Sequence, residues 1–189
     1  MVAMLVGACT SAGGSQASTS PSPSTSTVPS ASTSVSPSAT GITRSPALSE
    51  AAKEPNEAGA RAFLAYVVAA VNWGYARMDS APLDAVGLPG CEFCANSRRD
   101  IKAVKARGAH YDGATVTLVK YNPILASTDP LGYALDSILR QDPILVRDRA
   151  GTVLETFPRL KDRRVGIAIR WQDGGWRLVD VANLKGGSK

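Results

Sequence analysis

From Thr10 to Thr43 the chain offers almost nothing from which to build a core. Those residues are nearly all Ser, Thr, Ala, Pro and Gly, with Val28, Val35 and Ile42 as the only larger aliphatics. So little apolar surface cannot offset the entropy of ordering the chain, and the segment is expected to be a disordered tether. Pro21, Pro23, Pro29 and Pro37 stiffen it toward an extended, solvated conformation. Such a tether reaches roughly 40 Å as a coil and roughly 100 Å when extended. Its hydroxyls could also carry O-linked sugars. The fold must therefore come from the residues beyond the tract. We expect a tether over 10–49, one domain over 50–184 and a disordered tail over 185–189, the domain being of ordinary size.

The formal net charge is +5 and the tract ahead of Glu50 supplies only Arg44, so most of the excess lies from Glu50 onward. A mildly basic surface suits anionic lipid headgroups or acidic wall polymers, and equally suits plain solubility. Nucleic acid is not expected as a partner, since no basic run exceeds a pair and no binding motif is present. No stretch beyond the N-terminus is long and apolar enough to span a membrane.

Within the domain the apolar period changes once. Pro55 or Asn56 starts a first helix, with Glu54 and Glu57 near its positive end. Phe63, Val67, Val71 and Met78 recur at helical spacing, flanked by Leu64, Tyr66, Val68 and Tyr75. That apolar face is broad enough to lie across a sheet. Trp73 and Tyr75 fall near the helix end, where Gly74 admits a close neighbour. Asp79-Ser80-Ala81-Pro82 reads as a stop and then the cap of a short second helix through Val86. The Gly87-Leu88-Pro89-Gly90 turn delivers Cys91-Glu92-Phe93-Cys94 to a third helix. Ile101 and Val104 face inward there, Arg98, Arg99, Lys102 and Lys105 face outward, and Gly108 ends it.

After Gly108 the period becomes two. Thr115 to Val119 is strand-like and Asn122-Pro123 interrupts it. Tyr133 to Val146 reads as helix at Leu135, Ile138 and Leu139 but as strand at Ile144 to Val146, with Pro143 marking a bulge or an edge. Arg149-Ala150-Gly151 turns into Thr152 to Phe157. The clearest element is a hairpin. Val165, Ile167, Ile169 and Trp171 alternate on one face, Asp173-Gly174 supplies the turn, and Trp176 returns opposite Trp171. Three helices and then an antiparallel meander predict an α+β fold, with one long amphipathic helix packed on a curved sheet.

Ahead of the tether stands Val6-Gly7-Ala8-Cys9, small residues leading to a cysteine at the end of an apolar run. This resembles a bacterial lipobox. The resemblance implies that residues 1–9 are the end of a signal peptide and that Cys9 becomes an acylated N-terminus anchored on the outer face of the cytoplasmic membrane. A full secretory signal takes roughly 15–30 residues with a basic start. Only uncharged residues precede Cys9, so a start upstream of Met1 is expected. A cytosolic protein with a chance cysteine is the alternative. In an exported chain with Cys9 acylated, Cys91 and Cys94 form an even pair, which favours a disulfide.

Cone-shaped domains of the nuclear-transport-factor-two and ketosteroid-isomerase superfamily are similar to the expected architecture. Closer still is the resemblance to actinobacterial cell-surface lipoproteins carrying an uncharacterised domain of that shape. It rests on the lipobox and tether, on Asn72-Trp73-Gly74-Tyr75-Ala76 leading to Asp79-Ser80, on Cys91-x-x-Cys94, and on Trp171-Gln172-Asp173-Gly174-Gly175-Trp176. That family has no assigned activity, so the resemblance implies architecture and address but no chemistry.

The chemical options are few. A Cys-x-x-Cys opening a helix is also the thioredoxin arrangement, but here no strand precedes it and Glu92 disfavours a thiolate. A structural bridge is the reading preferred over redox exchange or a free pair. Two cysteines and the single His110 do not make a zinc site, and no cofactor is expected. No Gly-x-Ser-x-Gly elbow accompanies His110, so no triad is visible and no catalytic residue is assigned. Tyr66, Tyr75, Trp73 and Asp180, with Asp136, are the side chains that could face a cone cavity. Packing of the aromatics and capping by Asp180 are the plainer roles for them. The expectation is a non-enzymatic binding or accessory module on a lipid tether, taking a small apolar ligand, an envelope protein or a wall polymer. An isomerase-like or dehydratase-like enzyme using the cavity and a thiol oxidoreductase are the alternatives.

Overall fold

Asn56 starts the long helix, its side chain accepting a hydrogen bond from the Gly59 N–H at 2.9 Å. The structure, a computed structural model, describes residues 44–125 and 132–184. Cys9, the Ser/Thr/Pro tract and residues 185–189 lie outside them. Helix α1 spans Glu57–Arg77. It buries Phe63, Leu64, Val67, Ala70 and Val71 in the main core, and each large side chain among them contributes about 1.5–3 kcal/mol. Met78 is not part of that face. It caps the helix in the left-handed conformation at φ 56° and packs on a second small cluster of Val104, Ala109 and Val146. Gly74 is indeed a point of close approach, for a Cβ there would lie 3.3 Å from both the Asp79 carbonyl oxygen and Ile101 Cδ1.

Helix α2 is one turn, Ala81–Asp84, and stops short of Val86. The carboxylate of Asp79, not the Ser80 hydroxyl, caps it by accepting from the Ala81 N–H at 3.0 Å. Ser80 instead donates to Asp84 at 2.8 Å. Helix α3, Glu92–Ala106, turns Ile101 and Val104 inward as expected, together with Cys94 and Ser97. Gly108 follows it at φ 68°, the conformation a helix-ending glycine supplies.

Among the described residues, seven antiparallel strands come after α3, and they form two sheets rather than one meander. β1 (His110–Asp112), β4 (Ile144–Arg147) and β5 (Val153–Phe157) make a small sheet in the order β1-β4-β5. β2 (Val116–Leu125), β3 (Gly132–Gln141), β6 (Leu160–Gln172) and β7 (Gly175–Asn183) make the larger one in that order. The ambiguous stretch from Tyr133 is strand up to Gln141, and Pro143 stands where the chain leaves the large sheet for the small one. Pro123 does not end β2. The strand continues through it, paired with Leu135. β2 is an outer strand, where a missing N–H is tolerated. Register shifts at Leu118/Lys120, Leu139/Gln141 and Ala168/Ile169 mark bulges, which bend and twist the strands. The result is the expected class, α+β with a long helix packed on a curved antiparallel sheet.

The hairpin matches the sequence reading residue by residue. Asp173 and Gly174 both adopt positive φ, Trp171 pairs with Trp176, and their rings meet edge to face at 5.4 Å. Asn72, 5 % exposed on α1, holds β2 to the helix by donating to the Val116 carbonyl at 2.9 Å and accepting from its N–H at 2.8 Å.

The folded part begins earlier than residue 50. Leu48 packs against the main core, a 3-10 turn spans Glu50–Lys53, and Ala52 is fully buried. The Trp176 indole donates to the Glu54 carbonyl at 2.9 Å. A Cβ on Gly59 would lie 2.0 Å from that same oxygen. Residues 48–54 therefore form a strap across the start of α1, seated where a side chain is missing.

Candidate functional site

Helix α1 does not fill the concavity it crosses. A cavity of about 460 Å³ remains, within the ~300–1,000 Å³ usual for small-molecule sites. Val67, Val71, Phe93, Leu139, Val165 and Ile167 supply an apolar wall from α1, α3, β3 and β6. Phe157 at the end of β5 and Leu160 at the start of β6 complete the rim, 43 % and 39 % exposed. Large apolar side chains left in solvent beside an apolar cavity are the form of an entrance.

The polar lining is sparse. Tyr75 and Tyr111 meet edge to face at 5.0 Å, and both line the cavity. Burial raises the Tyr75 hydroxyl. Burial, with smaller contributions from Tyr75 and nearby carboxylates, pushes Tyr111 up to about 12 from its ordinary 10.0. Both hydroxyls therefore stay protonated at any physiological pH and offer donors, not bases. Two charged side chains reach the lining, Asp100 on α3 and Arg163 on β6, and both are exposed.

Of the four residues expected at a pocket, only Tyr75 lines this cavity. Tyr66 is buried elsewhere, stacked on Phe63 and donating to the Pro82 carbonyl at 2.9 Å. Trp73 donates to Asp79 at 3.2 Å beneath the Arg77 guanidinium. Asp180 accepts from the Phe93 N–H at 2.9 Å and so ties β7 to the start of α3. Asp136 binds Arg164 through two hydrogen bonds at 2.8 and 2.6 Å, which hold its carboxyl below the usual range. Arg163, Phe157 and Tyr111 carry no sequence signal as pocket residues. They converge only once β4, β5 and β6 divide between two sheets. His110 lies exposed on β1, paired in register with Arg147. Among the described residues no group of three His, Cys, Asp or Glu side chains could hold a metal.

Cys91 and Cys94 are bonded to each other. Both are buried, 2 % and 3 % exposed, and the Cys91 sulfur also accepts from the Cys94 N–H at 3.1 Å at the start of α3. Gly87 makes room for the bridge, since a Cβ there would lie 2.7 Å from Cys94 Sγ. The double variant Cys91→Ala, Cys94→Ala is expected to lose about 2 kcal/mol, measured by urea unfolding, from the freed chain entropy of a short loop.

A second expectation concerns alkaline pH. Tyr111 binds its proton more tightly folded than unfolded, so its contribution to stability is complete below pH 10.0 and vanishes as pH rises toward about 12. Tyrosinate absorbance should show a late class of hydroxyls that titrates together with unfolding. A single class near the free value would contradict the burial.

Residues 44–182 match DUF6318, a family of unknown function. The chain belongs to that family. The match starts at Arg44 and so takes in the whole strap. No curated protein matches the chain. Among solved structures, the intermembrane space region of chloroplast protein ARC6 is similar at 13% identity and a TM-score of 0.50, over 68% of this chain and 96% of that one. An uncharacterized protein with a cystatin-like fold from Caulobacter vibrioides aligns at 13% identity and a TM-score of 0.43, over 67% and 90%. A de novo designed protein with a curved β-sheet aligns at 14% and 0.33, over 65% and 95%. At such identities the first likeness concerns fold alone. The chemistry of a DUF6318 domain has to be argued from its cavity.

Proposed function

We propose that this DUF6318 protein is a cell-envelope lipoprotein whose domain binds a small apolar ligand without transforming it. Acylated Cys9 is the anchor on the outer face of the membrane, and the tract from Thr10 to Thr43 is the tether. The apolar cavity of about 460 Å³ with its exposed apolar entrance carries the binding part of this reading. Export is supported by Val6-Gly7-Ala8-Cys9 ahead of a Ser/Thr/Pro tract, and by the Cys91–Cys94 bridge, since disulfides persist in oxidising compartments. A binding role is favoured over catalysis because the one carboxylate among the described lining residues, Asp100, is exposed rather than desolvated. The lining tyrosines, held protonated, add no base.

Two measurements test it. Expressed in its native cells, the protein should partition with membranes, and Cys9→Ala should release it. Membrane association unchanged by Cys9→Ala would end the anchor reading. The neutral dye N-phenylnaphthylamine should bind the domain saturably, one per chain, with blue-shifted emission. No saturable binding would end the ligand reading.

A further inference from the structure

The inner row of β6 reads Val165, Ile167 and Ile169, all buried, and its next member toward the strand start is Arg163. A cation thus ends an apolar row, and the strand is distorted just before it. Leu139 pairs with Arg163, and Gln141 pairs with Leu160. One residue of β3, Arg140, thus faces two of β6, Lys161 and Asp162. Asp162 adopts φ 48°, a left-handed conformation that non-glycine residues rarely take, and Arg140 holds it with a hydrogen bond at 2.8 Å. In a regular strand, Leu160 and Arg163 would point to opposite faces. With the extra residue both line the cavity. The bulge brings Leu160 to the face of Arg163, and bulges are over-represented beside active sites, where they re-aim a side chain.

The charge placed there is unmatched. Arg140, Arg147, Arg159 and Arg164 each have an aspartate partner. Arg163 has a neutral one, donating through Nε to Asn183 Oδ1 at 3.0 Å, and no carboxylate lies within ion-pair distance of it among the described residues. That single bond fixes the guanidinium plane and leaves its two terminal nitrogens to grip an anion side by side. The other charged group at the lining, Asp100, sits with Tyr75 and Tyr111.

From this geometry we infer that the cavity takes a single-chain anionic amphiphile, its tail along the apolar wall and its headgroup on Arg163. The inference rests on the reading of the cavity as a ligand site. At ~30 Å³ per water-sized unit, the cavity holds roughly fifteen such units, enough for a chain of about ten carbons and its headgroup. A fatty carboxylate and a lysolipid phosphate share this chemistry.

Isothermal titration calorimetry of the intact domain with decanoate, decyl phosphate, decanol and decyltrimethylammonium tests it, using wild type and Arg163→Met. Wild type should bind one or both anions about tenfold tighter than decanol. The tighter anion then identifies the source. Arg163→Met should erase that preference and leave decanol unchanged, and Asn183→Ala should reduce it. Equal affinity for decanol and the anions, a preference that survives Arg163→Met, or tightest binding of the ammonium would each overturn the inference while leaving an apolar ligand site in place. Failure of all four ligands to bind would overturn the ligand site itself.

Discussion

Gly59→Ala is expected to destabilise the domain by about 3 kcal/mol or to throw off its N-terminal strap, an effect at the upper end for a single methyl. The added carbon would lie 2.0 Å from the Glu54 carbonyl oxygen and 3.0 Å from that of Ala51. Both neighbours are backbone, so no side chain can swing aside to admit it. Either α1 and the strap separate, exposing Ala52 and Leu48, or the helix start distorts and loses its Asn56 cap. Urea unfolding checks the magnitude. Gly175→Ala is the control, because nothing lies within 4 Å of a Cβ there, and it should change stability by less than about 0.5 kcal/mol. Equal behaviour of the two variants would mean that the strap does not sit on α1.

Trp176→Ala is expected to cost about 3–5 kcal/mol. The ring is 2 % exposed and lies between Trp171 and Tyr133, with centroids 5.4 and 5.6 Å away. Its N–H is the donor that the Glu54 carbonyl receives. Truncation removes the packing, opens a void under the hairpin and leaves that carbonyl without its partner. Trp176→Phe keeps much of the packing and loses the hydrogen bond, and should cost about 1–2 kcal/mol beyond the ring's lost area. Both variants act on Glu54, so Gly59→Ala and Trp176→Ala combined should destabilise by less than the sum of the two. Additivity would show that the strap is not their shared target.

The parts of the fold legible in the sequence are local. The Trp171–Trp176 hairpin is legible because a two-residue turn and a period-two pattern determine each other. Helices α1 and α3 are legible for the same reason, their periods and caps lying within one segment. The strap is not, since nothing in Leu48 to Glu54 announces a donor on Trp176 far along the chain, and Gly59 reads as an ordinary weak helix residue. Tyr133 to Val146 cannot be divided from sequence because Leu135, Ile138 and Leu139 fit both periods. Only pairing with β2 and β6 makes them strand. The cavity is space between elements, so its wall depends on packing. Tyr75 is visible as a candidate on a helix face, whereas Arg163 continues the alternation of Val165, Ile167 and Ile169 and only packing places a cavity beside it.

A cavity built to hold a ligand should be occupied in the cell. Native mass spectrometry decides it most directly, on the protein purified from its native cells without added lipid and cleaved within the Ser/Thr/Pro tract. The account predicts a reproducible extra mass of small-molecule size, one per domain, lost on gentle activation. A bare domain mass in repeated preparations would contradict it.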